Sequence, residues 1–432
     1  MEFQKYLKIL NKNKKKVIKY GLITIYIIFI SPVTFFGAWI VYNDIRPPPS
    51  YTYNSILQLS HWTVVPAGDD PTKQHNSNTD MIFYKGSFWL VHAQTKWHLE
   101  DPNGDLVIWK SANAVDWEEA TRINLPNTDV RDPKFADING RLFLYFLPNY
   151  RFDPGPNTTY FTYSDNSYLD FPVPQELKVN ITHDAGNGTL IHTLEGGWNF
   201  WRPKTNDNVT WYVLASGRKI GEAFSSHDAD VSNTITVLLE SNDGLSWSEV
   251  TEVYTKWGNG EACIEFLSNG ELISTHRVGS MGKSGYALGN PDGCTLIGTS
   301  NNSLTTWNFE QDKQTRLDGS TLFSINGRIF AVGRNHLGPR SDMGNHMVTK
   351  RTAFYEVKSD KLIHLFDLPS NGDTAYTGVA IKDGWIYTSY YTNPINKDLP
   401  WFVGLALLPA SEVRIARVSA MGLITYADTL GG

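Results

Sequence analysis

A chain of 432 residues with a formal charge of −6 and two cysteines excludes several classes at the outset. It has no basic footprint for nucleic acid, too few cysteines for a disulfide framework, and no Cys/His cluster at zinc-ligand spacing. Neither a nucleic-acid partner nor a metal or other cofactor is therefore predicted, while 14 Trp, 21 Tyr and 35 Gly favour a β-rich fold.

The first fifty residues differ in kind from the rest. Lys5, Lys8, Lys12, Lys14, Lys15, Lys16 and Lys19 precede an uncharged stretch, 20–42, rich in Ile, Phe and Val. About 20 apolar residues are what the hydrocarbon core of a bilayer requires. The lysines crowd one flank, so the positive-inside rule makes 1–19 a cytoplasmic tail and puts everything after Asn43 outside. A long cleaved signal is the alternative. Residues 43–58, with Arg46-Pro-Pro-Pro-Ser50, read as a linker, and 59–432 as one large domain. Sequons at Asn157, Asn180, Asn187, Asn208 and Asn301 fit that topology. An outside location also permits a Cys263–Cys294 disulfide, although spacing alone does not establish it.

From residue 60 onward one unit recurs: a short strand, a tight turn, then a strand of alternating large apolar residues. The turns are Lys85-Gly86, Asn139-Gly140, Asp207-Asn208, Asn269-Gly270, Asn326-Gly327 and Asp383-Gly384. Their second residues are 54, 68, 62, 57 and 57 positions apart. Asn-Gly and Asp-Gly match the backbone twist of a two-residue hairpin. A hairpin every ~60 residues leaves room for two more strands, making one four-stranded blade. The sequence thus predicts an all-β fold, a six-bladed β-propeller, with no amphipathic helix between 60 and 410.

Ligands commonly occupy one mouth of a propeller's central channel. In an antiparallel hairpin the start of the first strand lies beside the end of the second. Residues 5–9 positions before each turn marker and about 7 after it therefore share a rim. This rule collects Asp80, Arg131, Asp132, Arg202, Glu261, Asp318 and Tyr376 before the turns, with Asp373 just ahead of Tyr376 added beside it, and Arg277 and Arg334 after them. Arginines, carboxylates and a tyrosine at one mouth describe an anionic-ligand site with acid/base groups beside it. Asp318, beside Gly319, reads as a turn residue, and Asp373 as a turn cap. His183, His192, His227 and His276 show no ligand spacing and read as structural.

Ser241-Asn-Asp-Gly-Leu-Ser-Trp247 resembles the aspartate box of sialidase-type propellers, a structural turn, so Asp243 is not predicted to be catalytic. Ser111–Trp117 and Ser300–Trp307 look like degraded copies, and Ser164–Phe171 a poorer one. Gly260–Arg277 resembles the sialidase segment in which a Glu opens a strand and an Arg closes its return. Gly327–Arg334 is similar to a segment bearing a further triad arginine, and Leu368–Tyr376 to the tyrosine-bearing blade. Asp129-Val-Arg-Asp-Pro-Lys134 also resembles a segment of this propeller group.

That resemblance implies a tyrosine nucleophile, Tyr376, activated by Glu261, the exception sialidases make to the two-carboxylate scheme. Asp132 would be the general acid/base, with Asp80 in reserve. Arg277 and Arg334 would grip a substrate carboxylate, with Arg131 and Arg202 as candidates for the third guanidinium. The family's first-blade arginine has no counterpart, because that return strand ends in His92-Ala-Gln-Thr-Lys96. The implied function is a membrane-anchored glycoside hydrolase removing terminal sialic acid or a related acidic sugar from a glycan or glycoconjugate. Two alternatives stand beside it: a propeller glycosidase with a carboxylate pair such as Asp132 and Glu261, and a non-catalytic glycan-binding propeller.

Overall fold

The computed structural model describes residues 2–98, 101–149, 159–164, 170–180, 199–218, 234–255, 259–278, 293–337 and 348–431. The chain forms two compact units, Met1–Pro48 and Pro49–Gly432.

The first unit is helical: α1 (Glu2–Ile25), a π-turn (Tyr26–Ile30) and α2 (Ser31–Ile45). The π-turn precedes Pro32, whose missing N–H interrupts the normal helical ladder. There the Ser31 N–H reaches back to Tyr26 O, and Thr34 Oγ1 donates to Ile30 O at 2.9 Å. Asn11–Ile45 is long and apolar enough to cross a membrane, and Ile27, Phe29 and Val33 are exposed on it. A signal sequence near an N-terminus can meet the same criterion of length and apolarity.

The second unit is the six-bladed propeller. Blade 1 runs through His75–Tyr84, Ser87–Thr95, Asp105–Ser111 and Glu118–Ile123, and blade 2 through Asp129–Ile138, Arg141–Asn149, Tyr160–Ser164 and Gln175–Glu176. Blade 3 contains Asn199–Phe200, Trp211–Arg218, Thr234–Ser241 and Ser246–Tyr254, with Lys178–Asn180 added in parallel at its outer edge. Blade 4 is Asn259–Phe266, Leu272–Val278, Cys294–Ser300 and Trp307–Asp312; blade 5 is Asp318–Ile325, Arg328–His336, Lys350–Val357 and Leu362–Asp367. Blade 6 takes Thr374–Lys382, Trp385–Thr392 and Glu412–Ser419 from the end of the chain and Ser60–Val65 from its beginning. That N-terminal strand closes the ring, removing the free edge an open sheet would expose. Gly378 is required at the inner seam, where a Cβ would lie 2.0 Å from the Met81 amide nitrogen of blade 1.

The predicted turns join the first and second strands of each blade. In blade 3, Asp207-Asn208 belongs to a wider turn: Asp207 Oδ1 accepts from the amides of Val209 and Thr210 at 2.8 and 2.9 Å. The same bonding defines the aspartate box. Asp243 Oδ1 accepts from Leu245 and Ser246, Ser241 Oγ from Gly244, and the Trp247 indole donates to Gly244 O, with Trp247 fully buried. The copies at Ser111–Trp117 and Ser300–Trp307 use Asn113 and Asn301 as the acceptor. All three join third to fourth strands; the 164–171 segment runs through residues outside those described.

The apolar core is divided between blades. One cluster packs Ile138, Phe143 and Tyr145 of blade 2 against Val213, Val237 and Trp247 of blade 3, and others repeat this around the ring. Three short helical stretches supplement the strands among the described residues: a 3-10 turn (Ser55–Leu57), 401–407, and the C-terminal helix α3 (Ala420–Thr429), capped by Ser419 Oγ. Leu423 and Ala427 of α3 pack with Leu57, Phe323 and Phe330. Cys263 and Cys294 are both buried and are not joined in a disulfide.

Candidate active site

Five of the six blades carry a bulge at the same place in the first strand. Pairing slips between Ser77 and Asp80, Arg131 and Lys134, Gly260 and Cys263, Asp318 and Thr321, and Ala375 and Gly378. Each bulge holds a left-handed residue, Asn78 (φ 52°), Asp132 (49°), Glu261 (46°), Gly319 (58°) and Tyr376 (48°), and in blade 6 Ala375 before it also has a positive φ of 90°. They stand eight or nine positions ahead of the turn glycines 86, 140, 270, 327 and 384. A bulge breaks the alternation of a strand and re-aims one side chain. Left-handed backbone costs a non-glycine residue about 1–3 kcal/mol and persists only where the surroundings enforce it.

The re-aimed side chains meet. Tyr376 Oη donates to Glu261 Oε1, which also accepts from the Arg277 guanidinium. Glu261 Oε2 accepts from the Gly319 amide at 2.6 Å. Gly319 has no side chain because the Tyr376 ring takes that space; a Cβ would lie 2.6 Å from Tyr376 Cδ2. Burial, with Glu261 and Asp132 acting in the same sense, pushes the Tyr376 phenol well above its ordinary value, against Arg277 and Arg334. The phenol thus keeps its proton until a base takes it, and Glu261 is the carboxylate in contact.

Asp132 accepts from the Asn78 side-chain amide. Burial raises its carboxyl above the ordinary carboxylate value, opposed by Lys134 and helped by Glu261. Lys134 is itself buried, with Nζ 4.3 Å from the Trp201 ring centroid, and burial lowers it to about 8.

A second group stands behind the tyrosine, centred on Asp318. Arg316 binds both of its oxygens at 2.8 Å, Arg277 lies at 3.4 Å, Arg334 at 3.5 Å, and His336 at 3.0 Å. Burial alone would raise the Asp318 carboxyl, but Arg277, Arg316 and His336 outweigh it and hold it well below the carboxylate range. Arg334 is 2% exposed, with its guanidinium carbon 5.4 Å from the Tyr376 ring centroid. It donates to Thr374 O at 2.7 Å and to Asp373 Oδ1 and Tyr391 Oη at 3.1 Å. Asp318 and Asp373 are thus buried ionic hubs rather than the turn residue and cap that local sequence indicates. The charges of Arg277, Arg316 and Arg334 are matched one for one by Glu261, Asp318 and Asp373.

The structure brings Tyr376, Glu261, Arg277, Arg334 and Asp132 into this cluster, and Asp80 and Arg202 into a separate pair. Arg202 donates to Asp80 Oδ1 and to the carbonyls of Met81 and Val379, and Asp80 Oδ2 accepts from the Phe135 amide at 2.7 Å. Both Asp80 oxygens are engaged and the residue is fully buried, so this pair ties the first strands of blades 1, 2 and 6 to the segment that follows the first strand of blade 3. Arg131 binds Asp129 at 2.8 Å. His276 is buried with Nε2 2.9 Å from Ser274 Oγ, a structural arrangement, while His183, His192 and His227 lie outside the described residues.

Arg316, Asn78 and Lys134 were not singled out by sequence reasoning. Arg316 lies eleven positions before Gly327, beyond the window that defines the rim. Asn78 and Lys134 lie within their windows. The shared offset of Asn78 with Asp132, Glu261 and Tyr376 is a signal that could have found it.

No protein-family model matches the sequence, and no curated protein matches it. Solved structures do. A protein of unknown function from Dyadobacter fermentans superimposes with a TM-score of 0.56 at 14% identity, covering 84% of this chain and 99% of the other. Trypanosoma rangeli sialidase in complex with the inhibitor DANA gives 0.56 at 12%, covering 83% of this chain and 59% of that one. The endosialidase of phage phi92 gives 0.55 at 10%, covering 88% and 71%. The chain therefore spans about three-fifths of the trypanosomal enzyme, and at these identities the likeness is one of fold.

Proposed function

We propose that the propeller is a sialidase-like glycoside hydrolase, held at a membrane by residues 20–42 with the propeller on the outer or lumenal side, that removes a terminal sialic acid or related acidic sugar. The observation that carries this reading is the Tyr376–Glu261 hydrogen bond inside a ring of bulges. Tyr376 Oη attacks the anomeric carbon while Glu261 Oε1 takes the phenolic proton. Asp132 donates its proton to the leaving glycosidic oxygen. Asp132 then takes a proton from the incoming water, whose oxygen displaces the tyrosyl oxygen, and Glu261 returns the first proton to Tyr376. A carboxylate on the substrate would repel a carboxylate nucleophile, which favours a neutral phenol polarised by a base behind it.

Arg277 is the guanidinium that remains partly exposed, at 29%, and is the residue placed to receive the anionic group. Arg316 and Arg334 support it through the shared Asp318. Turnover of a fluorogenic sialoside by the full chain tests the assignment. Tyr376→Phe and Glu261→Gln are expected to abolish it, and Asp132→Asn to reduce it by about 10²–10⁴-fold. Activity that survives Tyr376→Phe but not Asp132→Asn would replace the tyrosine mechanism with a carboxylate pair. Glycan binding without turnover would make the propeller a lectin-like module.

A further inference from the structure

A second convergence lies one aromatic ring away from Tyr376. His75 on the first strand of blade 1, His98 just past its second strand, and Asp373 at the entrance to blade 6 direct Nε2, Nδ1 and a carboxylate oxygen at one point. The three atoms lie within 4.8 Å of one another. Asp373 Oδ2 is 2.6 Å from His98 Nδ1 and 3.7 Å from His75 Nε2. The His75 ring packs edge-on against Tyr391 at 6.0 Å, and Tyr391 lies 6.3 Å from Tyr376.

The tautomer of His75 is fixed by its other nitrogen. Nδ1 is 2.8 Å from Pro409 O, an oxygen that can only accept, so Nδ1 carries the proton. Nε2 then presents a bare lone pair, fully buried and without a hydrogen-bond partner among the described residues. It faces a carboxylate oxygen, so two acceptors look at each other across a buried gap. A buried lone pair without a partner is costly unless a cation takes it.

The surroundings are those of a ligand set. The other Asp373 oxygen is locked by three donors, Trp401 Nε1 at 2.9 Å, Tyr391 Oη at 3.0 Å and Arg334 at 3.1 Å. Pro409 O plays the same part for His75. Such outer partners orient metal-binding carboxylates and imidazoles. His98 is 17% exposed while Asp373 is fully buried, so the site is reached from the His98 side. Tetrahedral coordination at ~2.1 Å spaces ligand atoms about 3.4 Å apart, which the His75–Asp373 separation meets and His98 reaches by a shift of roughly 1 Å.

We propose that His75, His98 and Asp373 form a binding site for one divalent transition-metal ion of the zinc class, with its remaining position open on the His98 side. Two imidazoles and a carboxylate with an open position are the ligand chemistry of an exchangeable zinc site rather than a closed structural one. A dication here would add positive charge to an arginine cluster otherwise matched by carboxylates. The inference stands on these three side chains and not on the glycosidase reading.

The test is metal binding by the full chain in detergent, without a histidine tag, after stripping with a chelator. Calorimetric titration with ZnCl2 should show one equivalent bound, and Co2+ should give the visible absorption of a tetrahedral site. Loss of an outer partner alone costs ~10–100-fold in affinity, so His98→Ala should weaken binding by more than about 100-fold. His98→Gln keeps the side chain's size and repeats the test if alanine perturbs the fold, which circular dichroism reports. No stoichiometric Zn2+ uptake by the wild type, or uptake undiminished in both variants, overturns the site. Sialoside turnover is not part of the readout, so either proposal can fail alone.

Discussion

Gly319 shows how one missing side chain makes room for another, the ring of Tyr376. It combines a left-handed φ of 58° with a ring pressed against its Cα, and its amide holds the far oxygen of Glu261. Gly319→Ala should therefore displace Tyr376 and strain the backbone by about 1–3 kcal/mol, with a loss in kcat far exceeding the change in KM. Asp132 offers a pH test: its carboxyl is raised chiefly by burial, so turnover should fall as pH rises through that value, and Asp132→Asn should flatten that limb. Glu261, Tyr376, Arg277 and Arg334 were legible because hairpin arithmetic brings strand ends to a common rim. The bulges were not legible, since a one-residue slip leaves no mark in residue type. Nor was the Asp80–Arg202 pair, because the same arithmetic cannot distinguish a side chain facing the pocket from one tied into the wall.

Among elements, box turns and bulges divide the work. The boxes lie at the outer turns and hold backbone amides; the bulges lie at the inner strands and aim side chains. Asp243→Ala should consequently lower stability by about 1 kcal/mol, as loss of a capping acceptor does, while leaving KM and kcat for a fluorogenic substrate unchanged. A thermal melt alongside kinetics separates the two effects. The Asn-Gly and Asp-Gly turns made four hairpins readable directly, and Lys85-Gly86 a fifth. The blade 3 turn was harder, because Thr205 and Asp207 accept from backbone amides in a box-like turn where the other blades use a tight one. The C-terminal helix α3 escaped notice because its ten residues carry no strong polar face and gain their order from Leu57 and blade 5.

For the whole ring, buried histidines set the response to acid. Burial lowers His92 to about 4 and His276 to about 3, whereas an unfolded chain binds their protons near 6.5. Between those values the unfolded state binds more protons, so stability is complete above pH 6.5 and falls as pH drops toward 4. Each contributes up to about 1.4 kcal/mol per pH unit in its window. Denaturant midpoints measured from pH 7 to 4 should decline, and His276→Gln should lessen the slope.

The strand that closes the ring is also the one nearest the N-terminal helices in sequence. Tension entering the propeller at Pro49 meets Tyr51 and Tyr53 first, whose hydroxyls hold the carbonyls of Ser370 and Asp367 at 3.2 and 3.0 Å. It then meets Ser60–Val65, paired antiparallel with Glu412–Ser419. A pull along that strand loads its cross-strand hydrogen bonds together rather than singly. Tyr376 sits on the opposite edge of the same blade, three strands inward from the strand that takes up the chain from the N-terminal side.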